Sequence, residues 1–318
     1  MHHYRLGVAC VASEIVLSGL PEARSGSSVD IRIRRGAPDD GPIDWRDHPQ
    51  GAETTPAWAQ VDYFRSADGR WYRIRYDYRG HVADFAIRDD GRTITVETTE
   101  GETDAELSNL IEGPILGRAM RLAGLPCIHG TALASDGRAI VLMGGSGVGK
   151  SSLAWALVQQ GCGLVTDDIV GIEQGPGGLL VHPGRARLRM WPDTARRLGL
   201  GATADVLFPT ATEMEKVSVR DHSSFEDSPV PLHAVYRLLP RDATLEAPGI
   251  EEMPWGERLA ELGANLHGVL APDREGRRRE LSMLAAVAAG APVRSLTLPD
   301  DLEALPRMAG SLRQRLFR

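Results

Sequence analysis

Over the first hundred residues, apolar and polar positions alternate in short runs. Ser28–Arg35 (SVDIRIRR), Trp71–Tyr78 (WYRIRYDY), His81–Arg88 (HVADFAIR) and Thr93–Thr98 (TITVET) are separated by glycine-bearing turns such as Asp90-Gly91. A period of two predicts antiparallel strands with one face packed and one wet. Gly36–Pro56 is rich in Pro, Gly and Asp and predicts a long loop. At Asp104 the period lengthens. Leu107, Leu110, Ile111, Ile115, Leu116 and Met120 fall on one helical face, which Gly124-Leu125-Pro126 ends. Strands and helices then alternate to the C-terminus, an α/β pattern. Two domains are therefore predicted: a smaller antiparallel β-rich N-terminal domain, residues 1–103, and an α/β domain, residues 104–318.

Composition narrows the function classes. The chain has 318 residues, 42% hydrophobic and 25% charged, enough to bury a core. A net charge of −7 argues against nucleic acid held through bulk positive charge. No apolar run reaches the ~20 residues of a membrane span, and the N-terminus lacks a basic signal-peptide region. Cys10, Cys127 and Cys162 are odd in number and far apart, which disfavours a disulfide frame and a zinc site. The expected location is cytoplasmic. Of 36 basic residues only Lys150 and Lys216 are lysine. In a chain that otherwise uses arginine, each is a candidate for a role that needs a compact ammonium.

Lys150 stands in the strongest motif. Gly144-Gly145-Ser146-Gly147-Val148-Gly149-Lys150-Ser151 matches G-x-x-x-x-G-K-[ST] in full. The apolar strand Ala139–Met143 precedes it, and the helical stretch Ser152–Gln160 follows. Such a loop turns backbone N–H groups and a helix N-terminus toward a phosphate chain. Lys150 would then meet the β- and γ-phosphates, and the Ser151 hydroxyl would ligate Mg²⁺. A nucleoside triphosphate is the implied ligand, ATP the expected one, with Ser152 beside its phosphates.

Asp167 and Asp168 end the segment GLVTDDIV, the first lying 17 residues beyond Lys150. That distance holds one helix, a tight turn and a short strand. In a right-handed βαβ unit this strand runs parallel to the one feeding the loop, so the carboxylates emerge at the same sheet edge. Two carboxylates beside one Mg²⁺ suit metal binding and acceptance of a hydroxyl proton. His129, in PCIHGTAL, precedes a turn at Ser135-Asp136-Gly137. A hairpin centred near Asp136 sets it opposite Met143, beside the loop, where an imidazole can tune an aspartate.

Taken in order, Ile128-His129-Gly130, GGSGVGKSS and LVTDD resemble the HPr kinase/phosphorylase family over roughly Gly124–Gly171. The resemblance implies an α/β P-loop kinase core like the HPr kinase C-terminal domain, dependent on ATP and Mg²⁺, that phosphorylates a serine of a protein or peptide. It implies Asp167 as the base, paired with His129, and Asp168 as the Mg²⁺ partner of Ser151. The family's glycine-bearing segment after the Asp pair has no counterpart in Pro183–Asp193 (PGRARLRMWPD), and the N-terminal part departs from the family's usual regulatory domain. The layout is closer to the lasso peptide tailoring kinases of that group, which carry a similar RLRMWPD-like segment. This implies a ribosomal precursor peptide as partner; a homo-oligomer is compatible with it. HPr itself as substrate, and a non-kinase nucleotide switch, stay open.

Arg185, Arg187 and Arg189 alternate, so on a strand they share a face. The expectation is a solvated arginine face, with Arg187 a candidate phosphate or substrate clamp. Lys216, in EMEKVSVR, is a candidate second cation. Trp191-Pro192-Asp193 predicts a helix start.

Overall fold

The computed structural model describes residues 1–23, 27–48, 59–78, 80–99, 103–200, 205–207, 217–220, 224–268 and 273–318. They cluster into two compact units. The first holds the described residues of 1–126 and 267–280, and the second the remainder.

In the first unit, eight strands form one sheet. They are β1 (His2–Leu6), β2 (Ala9–Ser13), β3 (Ile31–Arg35), β4 (Trp45–Asp47), β5 (Gln60–Ser66), β6 (Trp71–Tyr78), β7 (His81–Arg88) and β8 (Thr93–Thr98). Their order is β1-β2-β3-β8-β7-β6-β5-β4. The expected alternation holds in β6, where Tyr72, Ile74 and Tyr76 are buried while Arg73 and Arg75 lie on the wetter face. The sheet is mixed rather than antiparallel, because β3 runs parallel to both β2 and β8. A helical run packs with it: α1 (Asp104–Leu110), a π turn (Ile111–Ile115) and α2 (Leu116–Leu122). Thr103 and Glu106 form a capping box at its start. Buried Glu112 accepts a 2.8 Å hydrogen bond from the Gly19 N–H, and Asp104 accepts one from Val16. These bonds tie the run to the N-terminal sheet. The division between units therefore falls after residue 126, and not at the expected 103/104.

The second unit is built on β9 (Cys127–Ser135) and β10 (Arg138–Met143), a hairpin turned by Asp136 and Gly137, both at positive φ. There follow α3 (Lys150–Val158), β11 (Gly163–Gly175), β12 (Gly178–Val181), β13 (Leu188–Met190) and α4 (Pro192–Arg197). The chain continues through β14 (Asp205–Leu207), β15 (Val217–Arg220), β16 (Val230–Leu238) and β17 (Gly249–Glu252). It ends with α5 (Trp255–Ala264), α6 (Arg274–Gly290, which begins in the first unit), β18 (Val293–Thr297) and α7 (Leu305–Leu316). The main sheet runs β10-β9-β11-β12-β16-β18-β17, and β10 also pairs in parallel with β16, closing a five-stranded ring. Strands β13, β15 and β14 form a separate small sheet.

Alternation along β9 and β10 divides the core. Leu133, Ile140 and Leu142 join α3 and α7 on one face, while Ile128, Ala132, Val141 and Met143 join α5 and α6 on the other. Strand β11 has the same direction as β10, as expected, but is not its neighbour. Strand β9 lies between them, antiparallel to both. Among the described residues no helix is long and apolar enough to cross a membrane.

Candidate phosphotransfer site

The loop 144–149 links β10 to α3. Gly144, Gly147 and Gly149 hold φ of 137°, 86° and 102°, left-handed conformations that residues with side chains rarely adopt. Gly145, Ser146 and Gly147 are exposed, Val148 and Ser151 half-buried, and Ser152 buried. Lys150 folds back along the loop, its ammonium donating to the Gly144 carbonyl at 2.7 Å and the Gly145 carbonyl at 3.1 Å.

Register places the other candidates against the loop. Met143 pairs with Gly130, and Gly130 pairs with Asp168. These three residues form one row across β10, β9 and β11, spanning about 10 Å at ordinary strand spacing. His129 is thus one position beyond the expected register, because the two-residue turn centres between Asp136 and Gly137. It shares with Thr131 and Leu133 the face turned toward α3.

The two aspartates take separate environments. Strand β11 shifts register between Leu164 and Thr166, and Asp168 then sits at φ 73°. A non-glycine residue there is strained and needs bracing. Thr166 supplies it: its hydroxyl donates to the Ile169 carbonyl at 2.9 Å and accepts the Arg185 N–H at 3.1 Å. The two carboxylates meet different partners. Asp168 stays partly accessible (18% exposed side chain) and meets His129 Nδ1 at 3.0 Å. Asp167 is buried, accepting from the Thr131 hydroxyl at 2.6 Å and the Arg189 N–H at 3.2 Å. Burial, and then the neighbouring Asp168 charge, push its pKa above the usual carboxylate range, against the opposing pull of Thr131, Arg185 and the Arg189 N–H. The pairing expected between His129 and Asp167 is therefore corrected: the imidazole meets Asp168.

The arginine segment also differs from expectation. Arg185 and Arg187 are buried, so their face is not a solvated one. Arg185 has no exposed side-chain surface, and its Nη1 lies 3.9 Å from Asp168 Oδ2. The two neighbouring carboxylates repel, and the buried guanidinium near Asp168, which also attracts Asp167, offsets part of that cost. Arg187, at 3% exposure, is enclosed by protein. Lys216 lies outside the described residues.

Asn265, at the C-terminal end of α5, carries no motif that marks it in the sequence. Its Oδ1 accepts the Gly144 N–H at 3.1 Å, its backbone carbonyl accepts the His129 N–H at 2.7 Å, and its Nδ2 donates to the Glu261 carbonyl at 2.8 Å. One residue thus fixes the first loop glycine against the histidine strand. Asn265→Ala strands the Gly144 N–H and is expected to cost about 1–2 kcal/mol, a few degrees in Tm. Asn265→Asp keeps the acceptor and should cost less. Thermal denaturation of the two variants checks the ordering.

The donor set fits Mg²⁺, a hard cation that takes oxygen ligands. The Ser151 hydroxyl and the Asp168 oxygen not bonded to His129 are the suitable atoms. Both Asp167 oxygens are already engaged.

Comparison with known proteins bears on the same segment. Residues 120–187 match the HPr Serine kinase C-terminal domain. The HPr kinase/phosphorylase of Exiguobacterium sibiricum is 35% identical over 95 residues, 29% of this chain and 28% of that one. That of Brevibacillus brevis is 47% identical over 60 residues, 19% of each chain. The chain thus spans under a third of the length of these curated relatives. A solved structure, the Hpr(Ser) kinase/phosphatase from Coxiella burnetii, aligns with 60% of this chain and 96% of its own, at a TM-score of 0.30 and 15% identity.

Proposed function

We propose that this protein is a Mg²⁺- and ATP-dependent serine kinase of the HPr-kinase type, acting on a peptide or protein. The observation that carries this reading is the row Met143–Gly130–Asp168, which brings a complete phosphate-binding loop and a His129–Asp168 pair to one sheet edge. The similarity of residues 120–187 supports it, since it spans loop, histidine and aspartates together.

The chain's own groups divide the work. Loop N–H groups, the α3 N-terminus and Lys150 bind and orient the triphosphate. Mg²⁺, held by Ser151 and Asp168, would neutralise charge on the phosphate oxygens. The His129–Asp168 pair receives the proton of the incoming serine hydroxyl. Its oxygen forms the new P–O bond as the bond from the γ-phosphorus to the leaving ADP oxygen breaks. Asp167 positions: it locks β11 to β9 through Thr131 and to the arginine segment through Arg189.

For substrate, a ribosomal precursor peptide is the finer reading. The resemblance in layout to the lasso peptide tailoring kinases supports it, as does a wide N-terminal sheet bearing aromatic and arginine side chains. HPr is the second reading, favoured by the names of the matched relatives. Incubation with ATP and Mg²⁺ should add about 80 daltons, one phosphoryl group, to the serine of a true substrate. Transfer to HPr at matched concentration, with none to serine-bearing precursor peptides, would select the second reading. Nucleotide turnover with no phosphorylated product of either kind would overturn the kinase.

A further inference from the structure

Strand β16 is the parallel neighbour of β10, with Arg237 opposite Met143, so the segment after β16 lies beside the phosphate loop. That segment is anchored on both sides of Arg241. The Leu239 N–H donates to the Leu296 carbonyl and the Asp242 N–H to the Leu298 carbonyl, each at 3.0 Å. The guanidinium is carried over the loop's end. A Cβ at Gly149 would lie 3.2 Å from Arg241 Nη2 and 3.5 Å from Nε. Gly149 is the residue from which α3 starts. Its lack of a side chain leaves the room that Arg241 occupies.

An arginine withdrawn from water ordinarily gains a carboxylate or carbonyls in exchange. Among the described residues Arg241 makes no hydrogen bond or ion pair. The carboxylates near it are turned elsewhere. Asp242 Oδ1 accepts from the Thr244 N–H and hydroxyl at 2.8 and 2.6 Å. Asp301 Oδ1 accepts the N–H groups of Glu303 and Ala304, both at 2.9 Å. Asp300 attracts the guanidinium without bonding to it, while exposed Arg197, at the end of α4, repels it. Burial and that repulsion weaken its hold on the proton, opposed by Asp300 and Asp301. Together with Lys150 and the positive end of α3, a half-buried cation with no bonded counter-charge lies beside Gly149, at the end of the loop.

We infer that Arg241 is a phosphate-binding residue of the nucleotide site, a second cation that contacts the phosphate chain of a triphosphate seated in the loop, with Arg197 adding to the local field. This rests on the nucleotide-binding part of the proposed function. The ligand chemistry is a polyphosphate carrying several negative charges, and the base plays no part in the contact.

The test uses the full-length protein, with binding of ATP and of inorganic tripolyphosphate measured by calorimetry for wild type, Arg241→Ala, Arg241→Lys and Lys150→Ala. Loss of one charge-assisted contact is expected to raise the Kd of Arg241→Ala for both ligands by about tenfold to a hundredfold. Arg241→Lys should recover part of the loss. The Tm without ligand should hold or rise, since the side chain has no partner to lose. The inference is overturned if Arg241→Ala binds both ligands within about twofold of wild type while Lys150→Ala weakens them. It is equally overturned if only ATP weakens, which would place the contact on the nucleoside, or if Arg241→Ala lowers the ligand-free Tm with affinity unchanged. If the wild-type protein binds neither ligand, the nucleotide reading falls and this inference with it.

Discussion

Asp168→Asn is expected to lower kcat for phosphoryl transfer by about a thousandfold, within the range ascribed to a positioned proton acceptor. The amide is nearly the same size, so the bend in β11 and the hydrogen bond to His129 can persist; what is lost is the charge that, on the proposed mechanism, both draws the hydroxyl proton and helps to hold Mg²⁺. Nucleotide affinity measured without metal should stay within a few-fold of wild type, because the loop and Lys150 are untouched. Asp167→Asn provides the contrast. An asparagine there can still accept the Arg189 N–H and donate its own amide to the Thr131 hydroxyl, so activity should remain within about tenfold of wild type. Steady-state kinetics on the two variants decide the matter, since a reversed order of losses would make Asp167 the proton acceptor.

Asp167 also has a pH signature. Its folded pKa is raised, chiefly by burial, so the protonated carboxyl is the form that favours folding. That contribution is complete below the ordinary aspartate value and is lost as pH rises through the raised folded value. The Tm of wild type relative to Asp167→Asn should therefore decline with rising pH across that window. A difference that stays flat would mean that this carboxyl does not feel its burial.

What could be read from the chain divides along a physical line. The loop between β10 and α3 was legible because its signal is local: glycines at fixed offsets, then Lys150 and Ser151, between a strand and a helix. Strand β6 was legible because one face is wetter and the alternation shows; β7 and β8 were legible as short β-prone runs between turn residues, although burial does not alternate along them. The mixed pairing of β3 was hidden, because direction in a sheet is set by crossovers that leave no periodic mark. The different partners of Asp167 and Asp168 were hidden for a sharper reason. Neighbouring residues on a regular strand point to opposite faces, yet which one meets the imidazole depends on a register shift at Leu164–Thr166 and a left-handed residue at 168. Thr166, which holds that bend, looks like any strand threonine in sequence. Asn265 and Arg241 were invisible because each reaches the loop from more than ninety residues away.

Gly130 shows how a residue with no side chain can set the spacing of the strands on either side of it. A Cβ there would lie 2.6 Å from the Leu142 carbonyl oxygen, a backbone atom that cannot swing aside. Replacing a strand glycine by alanine ordinarily stabilises by about 0.5–1 kcal/mol through reduced chain entropy. Here overpacking against backbone is the larger effect, at about 2–3 kcal/mol, so Gly130→Ala should destabilise and lower Tm by roughly 5–10 °C. Relief requires β9 to move away from β10, and β9 carries His129 on one side of Gly130 and pairs with Asp168 across from it. On the proposed mechanism, a shift of that kind by a fraction of an ångström at the His129–Asp168 pair should cost about a hundredfold in kcat. The loop and Lys150 belong to β10 and α3, so Kd for ATP should change far less than kcat. Calorimetric titration beside turnover would show the split. Equal losses in binding and turnover, or a raised Tm, would mean that the close approach of β9 and β10 does not set the geometry of the His129–Asp168 pair.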